Sequence, residues 1–367
     1  MNKIIYLDAA ATYQKSDAVV NAQVDFLLNK YANAGRGICA RAIATDDMIA
    51  RTRARVAAFI NARADQIVFT AGTTAAMNMV ANMIPVSATT KLLVSDLDHH
   101  SARLPFEMQV KKKAGRVFVC NLTDDFNIDV DSIPVADVFV ITAMSNVLGV
   151  PQDVERIIEA ARQKNPNVLT IVDAAQFVVH EKIDVTKWNC DFMAFSVHKI
   201  GGDTGLGVLY VKNPERFAPV NFGGGMVLKI QDNDDLILNN SPEKFEAGTL
   251  PLTQISGLIP AIDNLEKNRP DLNLIKYLYD ELIKIKKVRV LSNRNAALLT
   301  FVVDGMHVLD FGTLIGARGV CLRVGNMCAT WIHRRLGVDG TIRVSIGAYN
   351  TIDDIKSFIS YLKDVVK

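Results

Sequence analysis

Short, almost wholly apolar runs recur along the first two thirds of the chain, separated by polar turns and by segments of helical spacing. Ile67–Phe69, Lys91–Val94, Arg116–Cys120, Asp137–Ile141, Val168–Val172, Phe192–Phe195 and Leu206–Val211 are runs of this kind. Such runs read as strands buried on both faces. Helical patterns lie between them. Asp46–Ala62 sets Met48, Ile49, Val56 and Ile60 on one face and arginines on the other. Ala75–Ile84 is a second helix. A third follows His100, with Pro105 near its first turn, and a fourth runs from Pro151 to about Gln163. Ahead of all these, Ile4–Asp8 is a short apolar segment, and Ser16 can N-cap a helix to about Lys30. Strand, polar turn and helix in repetition specify an α/β domain around a mostly parallel sheet.

The pattern changes after Val211. Asn221–Met226 and Asp232–Asp235 read as exposed loops, and a helix covers about Thr253–Lys267. Beyond the break at Asn268–Asp271 the order is helix 272–286, strands 288–291 and 297–303, helix 307–318, strands 320–324 and 341–345, and helix 351–365. The expectation is a large α/β domain over 16–255 and a smaller α+β domain built from 1–15 and 256–367.

Composition narrows the function. The chain has 367 residues, 49% of them apolar, and a formal net charge of +2. A large core is therefore attainable. The densest basic run, Lys111–Lys113, is a solvated helix face, so no nucleic-acid partner is expected. No apolar stretch reaches the ~20 residues of a membrane span, and Met1-Asn-Lys opens no secretory signal. The five cysteines are odd in number and lack CxxC spacing, which argues against a disulfide framework or a zinc ribbon. A cytoplasmic location is expected.

Candidate chemistry clusters at the ends of the apolar runs. In open α/β sheets ligands bind beyond the carboxyl ends of the strands. Thr73, His99, Asn146, Asp173, Gln176 and Lys199 all follow such runs. Gly72-Thr73-Thr74 opens a helix and forms either an anion site or a capping turn. His99-His100 lacks a third ligand for a metal, which leaves ring stacking or capping. Asp173 ends a wholly apolar strand and requires a cationic or protonated partner, unless it caps a helix. Lys199 lies between Ser196-Val-His198 and four glycines within residues 201–207. It reads either as a Schiff-base lysine with Ser196 and His198 on a cofactor phosphate, or as a solvated turn residue. Cys328 follows a strand on a glycine-containing turn near Arg323, as an activated thiol or a buried core cysteine. Arg343, inside an apolar strand, is a substrate clamp or half of a structural salt bridge.

In order, Gly72-Thr-Thr, Asp98-His-His, Ser145-Asn-Val-Leu-Gly, Val172-Asp-Ala-Ala-Gln176, Phe195-Ser-Val-His-Lys199, Phe245-Glu-Ala-Gly-Thr249, Arg323-Val-Gly-x-x-Cys328-Ala and Arg343-x-Ser resemble the class V aminotransferase superfamily. Within it the chain is most similar to group II cysteine desulfurases, from Tyr6-Leu-Asp8 to Tyr349-Asn-Thr351. The resemblance implies a fold-type I, pyridoxal 5′-phosphate-dependent homodimer. It would turn L-cysteine into L-alanine and mobilise sulfur, as for iron–sulfur cluster assembly, through a protein sulfur acceptor. Lys199 would carry the cofactor and move protons, Asp173 would pair with its ring nitrogen, and His99 would stack on the ring. Asn146 and Gln176 would reach its phenolic oxygen. Thr73, Thr74, Ser196 and His198 would hold its phosphate, with Thr249 arriving from the other subunit. Arg343 and Arg323 would bind the substrate carboxylate, and Cys328 would take the sulfur. Other reactions on the same scaffold, such as a selenocysteine lyase, another β-lyase, an epimerase or an aminotransferase, stay open, as does a silent cofactor-binding partner protein. The chain departs from the family pattern in several places, among them a short segment between the two domains. Cys39 in Arg36–Cys39 and Asn326-Met327 stand where histidines are usual, and Thr330-Trp-Ile-His-Arg-Arg335 is bulkier and more basic than usual.

Overall fold

The computed structural model describes residues 4–35 and 37–367, so Met1–Lys3 and Arg36 of the Arg36–Cys39 stretch lie outside the described residues. In chain order the strands are β1 (Ile5–Tyr6), β2 (Ile67–Thr70), β3 (Lys91–Val94), β4 (Arg116–Val119), β5 (Val138–Thr142), β6 (Leu169–Asp173), β7 (Phe192–Ser196) and β8 (Gly207–Val211). They continue as β9 (Val227–Ile230), β10 (Leu236–Leu238), β11 (Val288–Val290), β12 (Leu299–Val303), β13 (Val320–Cys321), β14 (Arg323–Gly325) and β15 (Thr341–Val344). Seven of them form one sheet in the order β2-β8-β7-β6-β5-β3-β4. Only β8 runs against the others.

The apolar runs are continuous because both sheet faces are covered. Side chains alternate along a strand. Phe69, Phe139, Ile141, Met193 and Phe195 enter one core, while Val68, Val138, Val140, Phe192 and Ala194 enter the core on the opposite face. Leu258, Ile262 and Leu265 of the helix Leu258–Lys267 pack into the first of these cores. A third core joins the antiparallel sheet β11-β12-β15-β14 to β1, β13 and the helices Leu272–Leu282, Val308–Gly316 and Ile352–Val365.

Several local expectations change. Strand β4 lies at the sheet edge and is largely exposed, so it is not a buried strand. Ser16 stands at an N-cap, but its side chain makes no capping bond. The second helix spans Ala40–Phe59, and its Arg53 is buried rather than solvated. Both guanidinium nitrogens of Arg53 bind the Glu246 carboxylate, at 2.7 and 2.8 Å. A Glu246 oxygen also accepts from the Phe69 N–H at 2.6 Å. A buried arginine needs such a fork of acceptors, and this one fixes the Phe245–Thr249 stretch against β2. Pro105 lies in the middle of the helix His100–Lys112. Pro151 bridges to Met144, and Asp153 caps the helix Val154–Lys164 instead. The Thr253–Lys267 helix divides at Gly257. The glycine-rich and acidic loops enclose a hairpin, β9–β10, and a further helix, Thr330–Leu336, follows Cys328.

The end of β2 is held against the start of β8 by a close backbone contact. A Cβ on Gly207 would sit 2.4 Å from the Gly72 Cα, with no flexible side chain to give way. Gly207→Ala is therefore expected to cost about 1–3 kcal/mol through overpacking, read as a lower urea midpoint. Gly224→Ala, whose added methyl meets nothing within 4 Å, serves as the control. Equal midpoints for the two variants would contradict this account.

Candidate active site

The carboxyl ends of β2, β3, β5, β6 and β7 open on one cavity. Its volume is about 620 Å³, including the solvent-exposed mouth. Thr73, Thr74, His99, Asn146, Asp173, Gln176, Ser196, His198 and Lys199 all line it, together with Ser101, Thr142, Met144 and Ala175. Each reaches the cavity because its strand stops there and the chain turns. Lys199 lies on a 3₁₀ turn, Val197–Ile200, ended by Gly201 in a left-handed conformation.

Lys199 and Asp173 are the charged groups of the floor. Burial, and then the positive charge of Arg343, pull the Lys199 ammonium down to about 8. Its Nζ donates to the Ala10 carbonyl at 2.5 Å. Burial pushes the Asp173 carboxyl up to about 6, against the opposing effects of the Ala175 N–H and of Lys199. The Ala175 N–H donates to Asp173 Oδ1 at 2.9 Å. The solvated-turn alternative for Lys199 is thereby excluded.

The walls are polar and neutral. The Ser101 N–H donates to His99 Nδ1 at 3.1 Å, leaving the ring proton on Nε2. Burial and Lys199 lower the His99 imidazole to about 4, so it is uncharged at neutral pH. His99 thus N-caps its helix and faces the cavity as well. His198 Nδ1 is 3.0 Å from Thr12 Oγ1, and burial holds this imidazole at about 4 too. Ser196 Oγ lies 2.8 Å from both the Thr73 N–H and Thr73 Oγ1. That places hydroxyls at the N-terminus of the helix Thr73–Met83, where unpaired N–H groups and the helix dipole favour an anion. Gln176 Nε2 donates to the Ala10 carbonyl at 2.8 Å, and Asn146 Nδ2 to the Met327 carbonyl at 2.9 Å. The other amide oxygens, Asn146 Oδ1 and Gln176 Oε1, are buried without a partner among the described residues.

Four of the residues singled out by sequence stand outside the cavity lining. Arg343 is 3% exposed. Its Nη2 meets Asp8 Oδ1 at 3.1 Å and its Nη1 donates to the Asn146 carbonyl at 2.9 Å. Arg323 Nη2 meets the other Asp8 oxygen at 2.6 Å. Arg343 Nε is buried without a partner among the described residues. Cys328 is exposed, which corrects the buried-core alternative. Its carbonyl accepts from the His100 N–H at 2.8 Å, so its loop is bonded to the helix that begins beside His99. Thr249 is exposed. Sequence reasoning assigned no role to Asp8 and read Ala9–Thr12 only as a pocket wall of small residues or a plain loop. Ala9–Thr12 offers small side chains for a pocket wall, but the working group of Ala10 is a backbone carbonyl, which no residue type signals.

The aminotransferase class-V family profile matches residues 5–358. A probable cysteine desulfurase of Xylella fastidiosa (strain 9a5c) is 32% identical over 99% of this chain and 91% of its own length. Among solved structures, the apo cysteine desulfurase of Thermococcus onnurineus NA1 superposes with a TM-score of 0.94 at 30% identity, covering 99% of this chain and 94% of that one. The cysteine desulfurase CsdA (S-sulfonic acid) of Escherichia coli gives 0.90 at 32% identity, over 98% and 94% of the two chains.

Lys199 has a pH signature. Reductive alkylation of the unliganded protein by a short aldehyde, followed by peptide mass, should modify Lys199 with a midpoint near pH 8 rather than the ordinary lysine value of 10.5. Asp173 raises the Lys199 value. Asp173→Asn should therefore move the midpoint to lower pH, and a shift to higher pH would contradict the electrostatic account.

Proposed function

Because this chain belongs to the class-V aminotransferase family, we propose that it is a pyridoxal-phosphate-dependent cysteine desulfurase. It converts L-cysteine to L-alanine and takes the sulfur on Cys328 as a persulfide. One observation carries the reading. A buried lysine and aspartate share a cavity with neutral polar walls, and an exposed cysteine is bonded through its loop to the Asn146 side chain of that cavity.

The residues present fit the cofactor. The partnerless oxygens of Asn146 and Gln176 await polar groups, and Thr73, Thr74 and Ser196 gather at a helix N-terminus suited to a phosphate. The raised Asp173 carboxyl suits a protonated ring nitrogen. In this reading Lys199 holds the cofactor's carbonyl carbon, His99 its ring face, Asn146 and Gln176 its phenolic oxygen, and Asp173 its ring nitrogen. Thr73, Thr74, Ser196 and His198 hold the phosphate, and Thr249 of the partner subunit completes that end in a homodimer. Bound there, the cofactor supplies an electron sink for the substrate carbon skeleton.

The chain's own groups do the rest. Arg343, with Arg323 beside it, orients the cysteine carboxylate. The Lys199 amine, partly neutral near pH 8, accepts the α-proton and returns a proton to the product. The Cys328 thiolate forms an S–S bond to the substrate sulfur as the Cβ–S bond breaks. The released pair stays on Cβ and takes a proton, giving alanine. The persulfide sulfur then passes to a protein acceptor, as in iron–sulfur cluster assembly, in the cytoplasm.

The test is incubation of purified protein with cysteine, measuring alanine, sulfide and the mass of the Cys328 peptide. Wild type should gain one sulfur on Cys328. Cys328→Ala should keep the cofactor absorbance but lose alanine release, and Lys199→Ala should lose both. Undiminished alanine release by Cys328→Ala would overturn the desulfurase reading in favour of a lyase.

A further inference from the structure

We propose that Trp331, stacked between His100 and Arg103, is a positioning residue that fixes the Cys328 loop relative to the Lys199 cavity. This rests on the reading of Cys328 as the sulfur acceptor. The Cys328 loop is a strained segment. Met327 and Cys328 are consecutive non-glycine residues with φ of 49° and 52°. Side chains at such angles crowd the following carbonyl, so the conformation persists only where the surroundings impose it. Two bonds restrain the backbone directly: Asn146 Nδ2 to the Met327 carbonyl and the His100 N–H to the Cys328 carbonyl.

Both restraints come from residues that line the cavity or adjoin its lining, so what holds His100 also holds the cysteine. The His100 ring and the Trp331 indole meet edge to face, with centroids 5.1 Å apart at 81°. Its Nε2 is 3.1 Å from Thr330 Oγ1. The Arg103 guanidinium lies 3.9 Å from the Trp331 ring centroid. It is kept there by Glu107 at 2.7 Å and the Ser95 carbonyl at 3.3 Å. Trp331 is thus held by the residue next to His99 and, over its ring face, by Arg103 one helical turn later. The helix Thr330–Leu336 begins immediately after Ala329, so motion of the indole is transmitted to Cys328 with little slack. The bulk at 330–335, which departs from the family pattern, is explained by this grip.

The test uses the cofactor-loaded enzyme and two substrates. Cysteine needs the Cys328 thiolate to accept its sulfur. Cysteine sulfinate does not, because its sulfinyl group leaves as sulfur dioxide without an acceptor. Trp331→Ala should lower kcat on cysteine at least tenfold with little change in KM, and leave sulfinate turnover within about threefold of wild type. Trp331→Phe should recover most of the loss. Amide hydrogen exchange of unliganded Trp331→Ala should be at least tenfold faster over 326–330 and unchanged in β7. If Trp331→Ala does not fold, Trp331→Leu is read by the same criteria. Equal loss on both substrates, undiminished cysteine turnover or unchanged exchange would overturn the proposal. Full cysteine turnover by Cys328→Ala would overturn the sulfur-acceptor reading and this proposal with it. Loss in Cys328→Ala alongside a normal Trp331→Ala would overturn this proposal alone.

Discussion

The burial of the Lys199 amine beside Arg343, above a buried Asp173, is the constraint around which the rest is arranged. Each charge is costly in a site of low dielectric, and each moves toward its neutral form. The two shifts bring lysine and aspartate close to physiological pH from opposite sides. Such a pair requires a scaffold that cannot relax to let water in. The seven-stranded sheet meets that need, since β7, which leads to Lys199, is buried throughout and β6, which carries Asp173, is buried after Leu169.

The neutral walls follow from the same constraint. A charged imidazole beside a buried ammonium would add repulsion to desolvation, and both His99 and His198 are held far below neutral pH partly by Lys199. One nitrogen of each ring is instead occupied by a neutral partner, Ser101 for His99 and Thr12 for His198. Apart from Lys199 and Asp173, the polar surface of the cavity therefore consists of hydroxyls, amides and uncharged imidazoles, which can reorganise around a bound anion with less penalty than fixed charges.

The architecture was legible wherever a single strand told its own story. Continuous apolar runs such as Asp137–Ile141 read as doubly buried strands, and polar residues directly after them marked the cavity: Asp173 after β6, Lys199 after β7. What escaped was information held in pairs distant along the chain. Arg53 looked like a surface arginine because its carboxylate, Glu246, lies 193 positions away. Asp8 looked like the end of a strand because its arginines lie 315 and 335 positions on. Ala10 contributes only its carbonyl to Lys199 and Gln176. Edge status is likewise a property of the sheet, so β4 read as buried. The Thr330–Leu336 helix was obscured by its charged surface, although that bulk is what grips the cysteine loop.

The charge arrangement above Lys199 argues for the chemical class of the substrate. Arg323 and Arg343 share one carboxylate, Asp8, between two guanidiniums. One positive charge is left over, close enough to Lys199 to lower its affinity for a proton. Arg343 also keeps a buried Nε without an acceptor. Surplus positive charge beside the cavity favours an anionic group such as a carboxylate within it, without contact to the enclosed Nε. Under the proposed function, the amino-acid substrate brings that group. Its arrival would partly screen Arg343 from Lys199, raising the basicity of the lysine when a proton has to be taken. Asp8 thus holds the arginines in place without fully neutralising them, which a second acidic residue there would do.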